Sequence, residues 1–307
     1  MKKDFEIIKE VFSLLKNKGK TVIVGGFLRD SIMNKPFNDV DFLTTCPFDK
    51  VKEIFPSLFW TDTSIAHGIA YLKYKKLNID FSFCTDEDFQ AKLLDRDFTI
   101  NSFYFDGTEL MKLDERADKD IEQKILRPFQ NFESSLTYSP KRIVRSLRFT
   151  GVEGFQWDPE LDGLLKRNWS LIENIPKSQL DEEIYTTIKG NYLLLAMYYL
   201  MRAGIISYNE KLNEKRNKVI ETYGNSIKAK LVYIDHLLGS DTVKEFLETF
   251  RLNEKFYFLS SDYEDVFRND KLEIKQKDFP FITILKRYQY QNNKEKILKF
   301  LKENSNR

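Results

Sequence analysis

The sequence predicts an α+β head followed by an all-helical neck, body and short tail. Two observations carry that reading. Short β-branched runs broken by glycine and polar turns cluster before about residue 110, and beyond Pro128 they give way to long segments with helical periodicity. Runs of strands followed by runs of helices are the pattern of segregated α and β layers rather than of alternating βαβ units.

Taken in order, Phe5, Ile8, Phe12 and Leu15 fall at helical spacing, so the chain opens with an amphipathic helix that ends near Gly19. TVIV (21–24) is a first strand, stopped by Gly25-Gly26, and VDFLTT (40–45) is a second. A helix is expected over 46–55. GIAYLKYKKLNIDFSF (68–83) reads as two strands joined by a lysine turn. Periodic segments then follow at 140–150, 160–173, 178–189, 191–203, 212–239 and 241–251. We divide the chain accordingly into a head (1–128), a helical neck (129–205) and a helical body and tail (206–307).

Composition excludes several classes. Of 307 residues 42% are hydrophobic, and 26 Phe, 15 Tyr and 3 Trp supply a core that needs no disulfide or zinc staple. The only sulfur ligands, Cys46 and Cys84, with His67 and His236, match no familiar zinc spacing, and so few cysteines point to a reducing compartment, the cytoplasm. Asp4, Glu6, Lys9 and Glu10 interrupt any secretory signal at the amino terminus. The longest apolar run, LLLAMYYLM (193–201), falls well short of the ~20 residues that a membrane helix requires. A soluble protein with no membrane partner is expected.

The net charge of +2 is uninformative, but its distribution is not. From Lys275 to Arg307 nine Lys or Arg stand against three acids, with Phe279, Phe281, Tyr288, Tyr290 and Phe300 interleaved. Such a segment either tracks a phosphate backbone, with Lys294, Lys296 and Lys299 as candidate RNA contacts, or is a solvated lysine-rich helix.

The chemistry concentrates in TVIVGGFLRDSIMNKPFNDVDFLTT (21–45). A diglycine lets backbone N–H groups approach a triphosphate without side-chain obstruction, and the amino terminus of the helix that follows favours an anion. Arg29 adds a forked cation. Residues two apart on a strand share a face, so Asp39 and Asp41 present two carboxylates to one point, an arrangement that holds Mg²⁺. Hard cations bridging two carboxylates and a triphosphate activate a hydroxyl nucleophile and stabilise the leaving oxygen. A DxD alone is more often a pair of surface acids; its position ten residues after Arg29 of GGxxRD makes it far more specific.

Over its whole length GGFLRDSIMNKPFNDVDFLT resembles the first motif of the class II tRNA nucleotidyltransferases, the CCA-adding enzymes and related bacterial poly(A) polymerases. LLDRDFTINSFYFD (93–106) is similar to the family's RRDFTINA motif, with Asp95 where the first Arg stands. The resemblance implies that Arg96 and Asp97 recognise the ribose of the incoming nucleotide, with Asn101 in the same motif among the nucleotide-binding residues. SPKRIVRSLRF (139–149) resembles the helix that begins EDxxR and continues RAxRF. There Arg142, Arg145 and Arg148, three apart, drift only about 120° around a helix and form one cationic stripe, with Ser139 as N-cap and Pro140 as first helical residue. HGIAYL (67–72) is similar to an HGT-containing strand, and Asp80 in the strand after it is either a third carboxylate near the metals or a solvent-facing residue. The likeness covers roughly residues 20–150, and weakly extends to about 205, where KSQLDEEIYTTI resembles the neck helix around Glu183.

Membership implies a nucleotidyltransferase palm with a small mixed sheet, Mg²⁺ as cofactor, and CTP, ATP and the 3′ end of tRNA or another RNA as partners. The implied reaction is template-independent addition of C, as CC or CCA, by attack of the RNA 3′-OH on the nucleotide α-phosphate. A poly(A) polymerase-like adenylyltransferase and a palm acting on a non-RNA acceptor are the alternatives. A non-catalytic RNA-binding relative is disfavoured, because Gly25, Gly26, Arg29, Asp39, Asp41, Arg96 and Asp97 are all present. Three departures stand out. Tyr138-Ser139 replaces the acidic pair of EDxxR, which with its Arg hydrogen-bonds the base edge in the family. The 84–94 segment is short where CCA-adding relatives carry a longer flexible loop, which points to CTP as the better substrate. DERADKDI (114–121) approximates a hinge motif without its glycine.

Overall fold

The computed structural model describes residues 2–15, 17–37, 39–220 and 227–252, in two compact units that divide after Ser135. The head contains α1 (Lys2–Leu15), β1 (Thr21–Val24), α2 (Gly26–Ile32), β2 (Asp39–Thr44), α3 (Phe48–Ile54), α4 (Asp62–Ile65), β3 (Ile69–Tyr74) and β4 (Leu77–Phe83). After these come α5 (Phe89–Leu94), a 3₁₀ turn (Thr99–Asn101), β5 (Phe103–Phe105), β6 (Leu110–Lys112), α6 (Ala117–Glu122), β7 (Ile125–Leu126) and α7 (Phe132–Ser135).

Six strands form one mixed sheet in the order β3-β4-β2-β1-β5-β6. Only the β2–β4 pair is parallel; the others are antiparallel. Side chains alternate between faces along a strand, and the burial follows that period. Val40, Phe42, Ile79 and Phe81 are fully buried on one face. There Phe12 of α1 lies with its ring centroid 5.3 Å from that of Phe42 and 5.6 Å from that of Phe105. Asp39, Asp41 and Asp80 occupy the alternate positions, on the other face.

That second face is only partly covered. Leu43, two residues beyond Asp41, packs with Val22, Val24 and Leu93 of α5, flanked by Phe89 and Tyr104. The short 84–94 segment folds over its second half into α5, because Phe89 and Leu93 recur at i, i+4 and give that turn an apolar side to lay on the sheet.

The second unit is built from α8 (Lys141–Glu153), a two-residue strand β8 (Gln156–Trp157), α9 (Pro159–Asn168), α10 (Lys177–Lys189), α11 (Leu193–Arg202), α12 (Glu210–Lys215), α13 (Ile227–Leu238) and α14 (Ser240–Thr249). The helical periodicity at 160–173 is split, since α9 tightens to a 3₁₀ segment at Trp169–Asn174 ahead of Pro176. The 212–239 segment contains two helices rather than one, α12 ending at Lys215 and α13 beginning at Ile227. Helices α8 and α10 pack closely because small residues face each other. A Cβ on Gly190 would stand 2.2 Å from the Gly151 carbonyl oxygen, and one on Gly151 2.8 Å from Thr187 Cγ2. Among the described residues no helix is long and apolar enough to cross a membrane.

The carboxyl end of α10 is closed by Lys230 of α13, whose Nζ donates to the carbonyls of Lys189 (3.0 Å) and Gly190 (2.6 Å). A cation there complements the helix dipole and satisfies terminal carbonyls. Burial nevertheless pushes the amine down to about 8. Between that value and the ordinary ~10.4 of an unfolded lysine, the unfolded chain holds the proton that the native chain has released, so stability rises with pH. Relative to Lys230→Met, the parent should therefore gain stability from pH 8 to 10, measured as the difference in denaturant midpoints. A difference that is flat or falling with pH would contradict the buried, depressed amine.

Candidate active site

β1 ends at Val24, which pairs with Asp41 across the antiparallel β1–β2 ladder. The chain then turns at Gly25 with φ 79 and ψ −153, a conformation essentially closed to any residue with a Cβ. Space imposes the same demand, since a Cβ at Gly25 would stand 2.6 Å from Asp41 Oδ2. The diglycine turn is thus laid directly against one carboxylate of the DxD.

On the other side of β2 the parallel register places Asp41 beside Asp80 and Asp39 beside Asn78. Paired residues on neighbouring strands point to the same face, so Asp39, Asp41 and Asp80 share one field. Burial, then the charge of Asp41, then that of Asp39 push the Asp80 carboxyl up to about 6. Asp39 is exposed and its Oδ1 accepts from Asn78 Nδ2 at 3.0 Å. Sequence reasoning missed Asn78; its position two residues before Asp80, on the same strand face, was the available signal.

The donors are hard oxygens in a region of accumulated negative charge, a set that fits a divalent cation of the Mg²⁺ class. Among the described residues no three acidic, His or Cys side chains form a ready-made metal cage. That suits an ion held by one or two carboxylates and completed by substrate phosphates.

Arg29, Asp97 and Asn101 form a single buried chain. Arg29 is 8% exposed; its Nη1 donates to Asn101 Oδ1 at 2.7 Å, and its Nε and Nη2 to Asp30 Oδ1 at 2.9 and 2.7 Å. Asn101 Nδ2 in turn donates to Asp97 Oδ1 at 2.8 Å, which also accepts from the Phe98 amide. This relay ties α2 to the 3₁₀ turn of the second motif. Arg96 is half-buried and its Nη2 donates to the Lys92 carbonyl at 2.8 Å.

In the second unit the three arginines of α8 have different surroundings. The Arg142 guanidinium lies 5.9 Å from the Tyr138 ring centroid, and Arg145 lies 5.6 Å from that of Phe149. Arg148 Nε stands 2.7 Å from Glu183 Oε2 of α10, and Lys141 Nζ 3.3 Å from Glu183 Oε1. Glu183 is 4% exposed, so this ion pair fixes α8 on α10. Helix α8 begins one residue later than expected, with Pro140 rather than Ser139 at the N-cap and the Ser139 carbonyl accepting from the Arg142 amide at 3.1 Å. Lys294, Lys296 and Lys299 lie outside the described residues.

A family described as the poly A polymerase head domain matches residues 21–88, the stretch that holds the diglycine, the DxD and Asp80. Over 279 residues the chain is 22% identical to the CCA-adding enzyme of Geobacillus sp. (strain WCH70), covering 82% of this chain and 68% of that protein. It is 28% identical over 232 residues to the CCA-adding enzyme of Streptococcus pneumoniae serotype 19F (strain G54), covering 68% of this chain and 54% of that one. The head is thus similar to the poly A polymerase head domain, and most of the chain to CCA-adding enzymes. The chain spans between about half and two thirds of the length of these two relatives. The likeness of fold extends beyond the matched head. The Bacillus stearothermophilus CCA-adding enzyme in complex with CTP superposes with a TM-score of 0.71 at 19% identity, covering 98% of this chain and 82% of that one.

Proposed function

We propose that this protein is a cytoplasmic, template-independent nucleotidyltransferase that adds nucleotides, foremost C, to the 3′ end of tRNA. The observation that carries the proposal is the register that sets Asp41 between the Gly25 turn and Asp80, which puts a backbone cradle for phosphate beside accumulated carboxylate charge. In the reaction the 3′-hydroxyl oxygen of the RNA bonds to the α-phosphorus, the bond to the β,γ-phosphates breaks, and pyrophosphate leaves. Asp39 and Asp41 would hold Mg²⁺, which when bound polarises the phosphoryl oxygens and lowers the pKa of the attacking hydroxyl. Asp80 adds the third negative charge. Gly25 and Gly26 leave the triphosphate unobstructed, and the Arg29–Asn101–Asp97 relay holds the second motif against α2. The poly A polymerase head-domain match and the CCA-adding relatives support this reading.

The test is incorporation of labelled nucleotide into tRNA that ends at the discriminator base. Transfer selective for that RNA over protein and generic RNA is expected; labelling of protein or of a small molecule instead would replace the proposal with a non-RNA acceptor.

Base choice should be looser than a charged pair provides. Ser139 offers a neutral hydroxyl where the family has a carboxylate, and charge-assisted hydrogen bonds are roughly twice as strong as neutral ones. In single-turnover incorporation of all four nucleotides, Ser139→Asp should sharpen selectivity. Arg142→Ala should cost about 1–3 kcal/mol of discrimination by leaving a base edge unpaired. Selectivity for ATP alone, indifferent to both substitutions, would place base reading elsewhere.

A further inference from the structure

Tyr138 is 66% exposed, three residues before α8, the most basic of the described helices. A stiff backbone and one cation position it. Pro140 has a fixed φ of −62, and a residue before proline is itself restricted, so the Tyr138-Ser139 segment enters α8 with little freedom. Arg142, four residues on and only 7% exposed, sets its guanidinium 5.9 Å from the centre of the ring. The ring therefore presents an open aromatic surface braced by a cation, and Arg145 stands on the same helix one turn further along. An exposed aromatic next to guanidinium groups is the combination on which nucleobases stack, and stacking is tolerant of base identity because every base has a π-face.

We infer that Tyr138, braced by Arg142, is a nucleobase-stacking platform at the start of α8, taking a purine or pyrimidine base attached to phosphate. The inference rests on the proposed nucleotidyltransferase reading and deepens it. A base held by its face rather than its edge compensates for the acidic pair that Tyr138-Ser139 replaces. The base comes either from a free nucleoside triphosphate or from the end of an RNA.

The experiment uses the full chain and 2-aminopurine, whose fluorescence is quenched by stacking. One arm titrates 2-aminopurine riboside triphosphate; the other titrates an RNA that ends in 2-aminopurine. Each is run with the parent, Tyr138→Phe and Tyr138→Leu. Phe keeps the ring, and at so exposed a position Leu should leave the thermal unfolding midpoint unchanged. We expect Tyr138→Phe to retain quenching and affinity, and Tyr138→Leu to lose the quenching and bind about tenfold or more weakly in at least one arm. Loss in the triphosphate arm alone assigns the platform to the incoming nucleotide; loss in the RNA arm alone assigns it to the RNA end. Equal quenching and affinity in the Phe and Leu variants in both arms overturns the inference and leaves the proposed function standing. A parent that binds neither ligand overturns both.

Discussion

Asp41→Ala and Asp39→Ala are expected to abolish nucleotide transfer while the protein unfolds as cooperatively as the parent. Each substitution removes an oxygen ligand from the open face of the sheet. Neither touches the core on the opposite face, where Phe42 and Phe81 are fully buried. Loss of several kcal/mol of transition-state stabilisation corresponds to about a thousandfold or more in rate. The effect at Asp41 should be the larger, because Asp41 meets both the Gly25 turn and Asp80 in the ladder, whereas Asp39 is exposed and hydrogen-bonded to Asn78. Single-turnover rates with saturating nucleotide and a matched thermal melt provide the check. More than about a tenth of the parent rate in either variant would contradict the assignment of these carboxylates.

Gly190→Ala is expected to have the largest effect on stability. The Gly190 backbone, φ −66 and ψ 149, suits any residue, so the cost is purely steric. A Cβ there would meet the Gly151 carbonyl oxygen at 2.2 Å and its carbon at 2.5 Å, backbone atoms inside a helix that cannot step aside without moving α8 from α10. Overpacking of this kind costs about 3 kcal/mol or more, roughly 6–12 °C in Tm for a domain of this size. Gly204→Ala is the matched control: its φ of 73 is unfavourable for alanine, but no heavy atom lies within 4 Å. It should lose only about 1 kcal/mol. Equal losses at the two positions would contradict close contact with α8 as the reason for Gly190.

Strand positions were legible because β-branched runs bounded by glycine have few alternatives, and the register of Asp39 with Asp41 follows from the two-residue period alone. The third carboxylate was harder to place. Asp80 lies far from the DxD in sequence, and only the parallel pairing of β2 with β4 makes it a neighbour of Asp41; no local pattern encodes which strands pair. The inward direction of Arg29 was hidden for a similar reason. A GGxxRD signature shows a cation near a phosphate cradle but not that an asparagine 72 residues later receives its Nη1. The helix at 89–94 carried no local signal, since a two-residue apolar side, Phe89 and Leu93, gains helical character only from the sheet face it covers.

The parallel pairing of β2 with β4 also determines when the three carboxylates can meet. Val24, Asp41 and Asp80 come together only after β1, β2 and β4 have zipped, and the β2–β4 step closes a loop that contains α3, α4 and β3. Parallel pairings of high sequence separation form slowly, because loop-closure entropy is lost before contacts compensate. A head that has collapsed without completing this pairing holds its acids apart and has no special affinity for a divalent ion. On the proposed function, ion capture during refolding would be a clock for the β2–β4 step, and a chain that has not completed it would be catalytically silent.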